Sequence, residues 1–77
     1  MDRQQAETAV LEIISVVLKE SVSSDASRAE LAKWDSLKHV EIMFALEDEF
    51  GIVLSEDELS GLDSVKAIVK RVLDNAA

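Results

Sequence analysis

WDSLKHVEIMFALEDEFG, residues 34–51, is the stretch whose reading decides the fold. From Leu37 to Phe50 the apolar residues recur at helical spacing. At 100° per residue, Ile42, Met43, Leu46 and Phe50 gather on one side and form a core stripe. Leu37, Glu41, Phe44 and Asp48 fall on a second line, at i, i+4, i+7 and i+11, with Val40 and Glu47 between the two. Gly51 stands where a left-handed residue can end a helix. The run predicts a helix over about 36–50, with Ser36 at its mouth and Asp35 beside it.

The flanking chain reads the same way. Ala6, Val10, Ile13 and Val17 share a face, with Ile14 and Leu18 beside them, which predicts a first helix over residues 4–20. SVSSDAS, residues 21–27, breaks that pattern with side chains that hydrogen-bond locally. Leu31 and Trp34 are expected to pin this long first loop to the core. Ser55-Glu56-Asp57-Glu58 is a capping box opening a short helix that stops near Gly61. A last helix follows, with Asp63 and Ser64 as its caps and Val65, Ile68, Val69 and Val72 on one face. The expected architecture is all-α: a small four-helix bundle of three longer helices and one short one, in a single domain spanning 1–77.

Composition narrows the function. Hydrophobic residues make up 48% of the 77, so a compact helical core forms without staples. There is no cysteine, so disulfides and thiolate metal sites are excluded, and any thiol chemistry requires an added group. No stretch approaches the roughly 18 apolar residues of a membrane span. The start of the chain lacks the pattern of a signal peptide, so a cytoplasmic protein without membrane insertion is expected. The net charge of −8 is uneven. Eight acids and no Lys or Arg lie among residues 41–63, while elsewhere eight acids meet eight bases. Nucleic acid is a poor partner for such a surface, and basic protein patches are good ones.

Three constellations that could carry chemistry do not. Ser36 and His39 stand three apart but lack an orienting acid, so a hydrolase is not supported and His39 is read as structural or solvent-facing. Glu56, Asp57, Glu58 and Asp63 lack the spacing and glycine of a calcium loop, so no metal site is expected. Asp63-Ser64-Val65 imitates Asp35-Ser36-Leu37, but its helix carries Lys66, Lys70 and Arg71 in place of acids. What remains is Ser36 itself. A serine at a helix mouth suits a phosphodiester, because free N–H groups and the positive dipole end favour an anion. The line Leu37, Glu41, Phe44, Asp48 reads either as a widened core stripe or as a docking strip of apolar anchors in an acidic rim.

Asp35-Ser36-Leu37, Val40-Glu41, ALEDEFGI at residues 45–52, SEDEL at 55–59 and Asp63-Ser64-Val65 together resemble the acyl carrier proteins, in order and over nearly the whole chain. The resemblance implies that Ser36 receives 4′-phosphopantetheine from a phosphopantetheinyl transferase, and that the arm's thiol carries acyl groups as thioesters. It implies a monomer that catalyses nothing itself and presents intermediates to acyl-loading, condensing and other enzymes with basic docking patches. Asp35, Leu37, Val40, Glu41, Phe44, Glu47 and Asp48 are the expected docking residues. Met43, Leu46, Leu54, Leu59, Leu62 and Ile68 are the expected lining of an acyl pocket, or else ordinary core. The chain departs from bulk fatty-acid carriers in having Lys33-Trp34 before the motif and Lys38-His39 after it. Trp-Asp-Ser-Leu looks more like discrete carriers of polyketide, unusual lipid or aminoacyl assembly. An aminoacyl or peptidyl carrier and an unmodified acidic helical adaptor are the competing readings.

Overall fold

In the computed structural model, which describes residues 2–76, four side-chain caps start the four helices. Asp2 accepts the Gln5 N–H at 2.8 Å and Gln5 returns a bond to the Asp2 N–H, opening α1, Arg3–Leu18. Asp35 accepts the Lys38 N–H at 2.9 Å and opens α2, Ser36–Phe50. Ser55 and Glu58 form the expected capping box of α3, Glu56–Gly61. Ser64 Oγ accepts the Ala67 N–H at 3.1 Å at the start of α4, Val65–Ala76. The last cap is thus Ser64. Asp63 contributes its backbone carbonyl, which accepts the Arg28 N–H at 2.7 Å.

The helix ends also have local causes. Gly51 closes α2 in the left-handed conformation at φ 63°, where a side chain is disfavoured. Lys19 adopts the same conformation at φ 59° and returns its N–H to the Ser15 carbonyl. The first helix therefore stops two residues short of the expected Glu20.

α1 packs against both α2 and α4. Its buried line is Ala6, Val10, Ile14 and Leu18, a strict every-fourth row. Ile13 and Val17, expected at the centre of the stripe, are half-buried at its edge. The α2 stripe is as expected for Ile42, Met43 and Leu46, with Phe50 half-buried. Val65, Ile68, Val69 and Val72 of α4 complete the core. Their burial, at about 1.5–3 kcal/mol for each large aliphatic side chain, is what holds helices too short to persist alone.

The loop from residue 19 to 35 is tied down in two places. Ala26 and Arg28 pair with the approach to α4, through Val65 N–H to the Ala26 carbonyl (3.1 Å) and Arg28 N–H to the Asp63 carbonyl. A 3₁₀ turn, Arg28–Glu30, follows. Trp34, 2% exposed, then plugs the loop into the core two residues before Ser36.

Candidate functional site

Ser36 is the first residue of α2, not its cap. Asp35 has taken the capping role, so the serine hydroxyl is released from it and stands exposed. The N–H groups of Ser36 and Leu37 belong to the first turn, where no preceding carbonyl reaches them, and neither has a partner among the described residues. An oxygen nucleophile thus sits beside two free donors at the positive end of a 15-residue helix. This arrangement fits a group joined to the serine through a phosphodiester.

The site is braced from behind. The indole N–H of Trp34 donates to His39 Nδ1 at 2.9 Å inside the protein. An indole is only a donor, so Nδ1 is unprotonated and Nε2–H donates to the Leu59 carbonyl at 2.7 Å. His39 is 6% exposed, structural rather than solvent-facing. Through it the loop, the first turn of α2 and α3 form one chain of hydrogen bonds.

Sequence reasoning missed Arg28. Its Nη2 donates to Ser36 Oγ at 3.0 Å and its Nε to the Trp34 carbonyl at 3.2 Å. No periodicity links residues 28 and 36, because the loop between them follows no repeating pattern. A lone arginine in a loop otherwise rich in Ser and Ala is the sole signal.

The second line of α2 faces solvent. Leu37 is 68% exposed, Phe44 67% and Val40 43%, and Glu41 and Asp48 are exposed beside them. The widened-core reading of Leu37 and Phe44 is therefore overturned. Glu47 lies between that strip and the core stripe in helix phase. It is half-buried and its carboxylate accepts the Leu54 N–H at 2.8 Å, an anchor for the loop into α3. Lys38 pairs with Glu41 at 3.4 Å, so one positive charge sits within the acidic rim.

Met43, Leu46, Leu54, Leu62 and Ile68 all lie in the buried core, and Leu59 packs half-buried against it. Behind α3, Arg71 donates to Glu58 at 2.8 Å and to the Val53 carbonyl at 3.2 Å. The Ser55 N–H first, then Arg71, hold the Glu58 carboxyl below its ordinary value of 4.5. Ser64 has its hydroxyl occupied by its capping bond and is half-buried.

Residues 8–72 match the family described as a phosphopantetheine attachment site. The acyl carrier protein of Helicobacter acinonychis is 35% identical over 74 residues, covering 87% of this chain and 95% of its own. That of Rickettsia massiliae is 33% identical over 69 residues, covering 86% and 80%. That of Saccharopolyspora erythraea is 30% identical over 80 residues, covering 100% and 84%. Proteins of this family are carriers rather than enzymes, use a 4′-phosphopantetheine cofactor, and work with a transferase and biosynthetic enzymes. With an all-helical fold and an exposed helix-mouth serine inside the matched segment, this chain belongs to the acyl carrier proteins.

Proposed function

We propose that Ser36 is the attachment serine. The observation that carries the reading is its exposed hydroxyl at the first position of α2, with the capping duty moved to Asp35. When bound, 4′-phosphopantetheine supplies a terminal thiol that holds acyl groups as thioesters. The chain's own part is positional. Asp35 and the start of α2 present the hydroxyl, and Trp34 and His39 hold that turn to the core. Residues 1–77 act as one carrier domain, a monomer in the cytoplasm.

Asp35, Leu37, Val40, Glu41, Phe44 and Asp48 form the proposed docking strip, with apolar anchors for contact and acids for basic patches on the transferase and on loading and condensing enzymes. Glu47 is proposed at its edge, since the one bond from Leu54 leaves its carboxylate with acceptor sites for a basic partner. Met43, Leu46, Leu54, Leu59, Leu62 and Ile68 are proposed to part around the acyl chain. The cargo belongs to fatty-acid, polyketide or related specialised lipid synthesis, and Trp-Asp-Ser-Leu favours the specialised pathways.

Intact mass after incubation with coenzyme A and a broad-specificity phosphopantetheinyl transferase tests the site. The expected result is one phosphopantetheine gained by the parent chain and none by Ser36→Ala. A gain in both rejects Ser36, and a gain in neither, on folded protein, favours an unmodified adaptor. The strip is tested by Glu41→Lys and Asp48→Lys, expected to slow association with a partner enzyme and flatten its salt dependence. Unchanged association kinetics reject the strip.

A further inference from the structure

Arg28 is placed by bonds that have nothing to do with Ser36. Its backbone N–H donates to the Asp63 carbonyl at 2.7 Å and its Nε to the Trp34 carbonyl at 3.2 Å. These hold the guanidinium so that Nη2 lies 3.0 Å from Ser36 Oγ. A guanidinium carries five N–H donors in a planar fork, and among the described residues Arg28 uses only these two side-chain bonds.

Its charge is also unmatched. In this acidic chain Lys33, Lys38, Lys66 and Arg71 each pair with a carboxylate. Arg28 is half-buried and pairs with none among the described residues. Lys38, the other cation near the serine, is engaged with Glu41. A half-buried cation with spare donors, held against one particular oxygen, calls for an anion at that oxygen.

We propose that Arg28 is a binding residue for the phosphodiester that joins the arm to Ser36. The proposal rests on Ser36 being the attachment serine. A phosphorus atom bonded to Ser36 Oγ brings its two unesterified oxygens into the reach of the Arg28 fork, which suits phosphate as a two-point donor. The N–H groups of Ser36 and Leu37, without a partner among the described residues, belong to the same first turn of α2, where a helix favours an anion. Arg28 thereby fixes the base of the arm against the first loop. It takes no proton and breaks no bond.

The test compares the parent chain, Arg28→Lys and Arg28→Gln, each unloaded and loaded, with the site of loading read by mass spectrometry of peptides. In the parent chain, solvent exchange of the Arg28 guanidinium protons, followed by nitrogen-15 NMR, is expected to slow about tenfold on loading. The phosphorus-31 resonance of the loaded chain is expected to move in Arg28→Gln and to move less in Arg28→Lys, which keeps the charge but not the fork. A purely structural brace on Trp34 leaves both signals where they are. If the arm is on Ser36 and neither signal responds, the Arg28 assignment falls alone. If the arm is on another residue, this assignment and the attachment reading fall together. The parent-chain measurement stands even if a variant fails to fold.

Discussion

Asp35-Ser36-Leu37 and Asp63-Ser64-Val65 are nearly the same tripeptide, and each stands at the start of a helix. They differ by one residue of register. At α2 the aspartate is the cap and the serine is the first helical residue, so its hydroxyl is exposed. At α4 the serine is the cap and its hydroxyl is bound to the Ala67 N–H. The surroundings set that register. Asp63 and Ser64 are extended by their pairing with residues 26–28, which delays the helix to Val65. Trp34 is buried just ahead of Asp35, and the helix begins as soon as the chain leaves it. Local composition offers a cap and a hydroxyl in both places, and the tertiary anchor decides which residue serves as which.

The largest effect that can break this contrast is on loading. Ser36→Ala is expected to abolish it and Ser64→Ala to leave it intact, as read by intact mass. Loss of loading in a folded Ser64→Ala chain reverses the assignment.

Next in size is the anchor. Trp34→Ala is expected to lower unfolding stability by about 3–5 kcal/mol, the usual loss for a large core aromatic. Trp34→Phe keeps most of the ring but leaves His39 Nδ1 buried without a donor, at a cost of about 1–3 kcal/mol. Urea unfolding measures both. Equal stability for Phe and Trp here means that the hydrogen-bond chain to Leu59 contributes nothing.

The serines themselves then separate on the same scale. Ser64→Ala is expected to cost about 1 kcal/mol, as a lost cap does. Ser36→Ala, at an exposed position, is expected to stay within about 0.5 kcal/mol. The opposite order overturns the register argument.

The smallest effect sharpens the comparison with a third serine cap, Ser55, whose bond with Glu58 is reciprocal. Glu58 titrates below its ordinary value of 4.5 in the folded chain, because the Ser55 N–H and Arg71 favour its charged form. Its contribution is therefore present above that value and is lost as pH falls through the lowered one. Glu58→Gln is expected to give a shallower loss of stability below about pH 4.5 in urea titrations. An unchanged slope shows that this cap is not ionically reinforced.

How legible was the molecule in its residues? Helix positions followed from period and punctuation. The span of α2, the glycine that ends it and the capping box of α3 are local chemistry, settled within about four residues. α1 ends before the expected Glu20 because Lys19 turns left-handed without the glycine that announces such a stop. The buried row of α1 runs through Ile14 and Leu18 rather than the expected Ile13 and Val17, because nine apolar positions on one helix allow neighbouring faces and only packing against α2 and α4 selects one. For the site, Ser36 and the second line of α2 were legible, since helix phase alone groups Leu37, Glu41, Phe44 and Asp48. Glu47, which phase places between the two lines, is expected to dock as well, and its carboxylate reaches a backbone N–H seven residues on.

The sequence by itself determined where the helices lie, the capping box of α3, the acidic segment and the two candidate serines, because each depends on neighbours within a turn or two. Only the tertiary structure decided which serine keeps an exposed hydroxyl, that His39 joins Trp34 to Leu59, and that Arg28 reaches Ser36. Those outcomes depend on where an aperiodic loop is tied, and the ties run to Asp63, Val65 and the core, far along the chain.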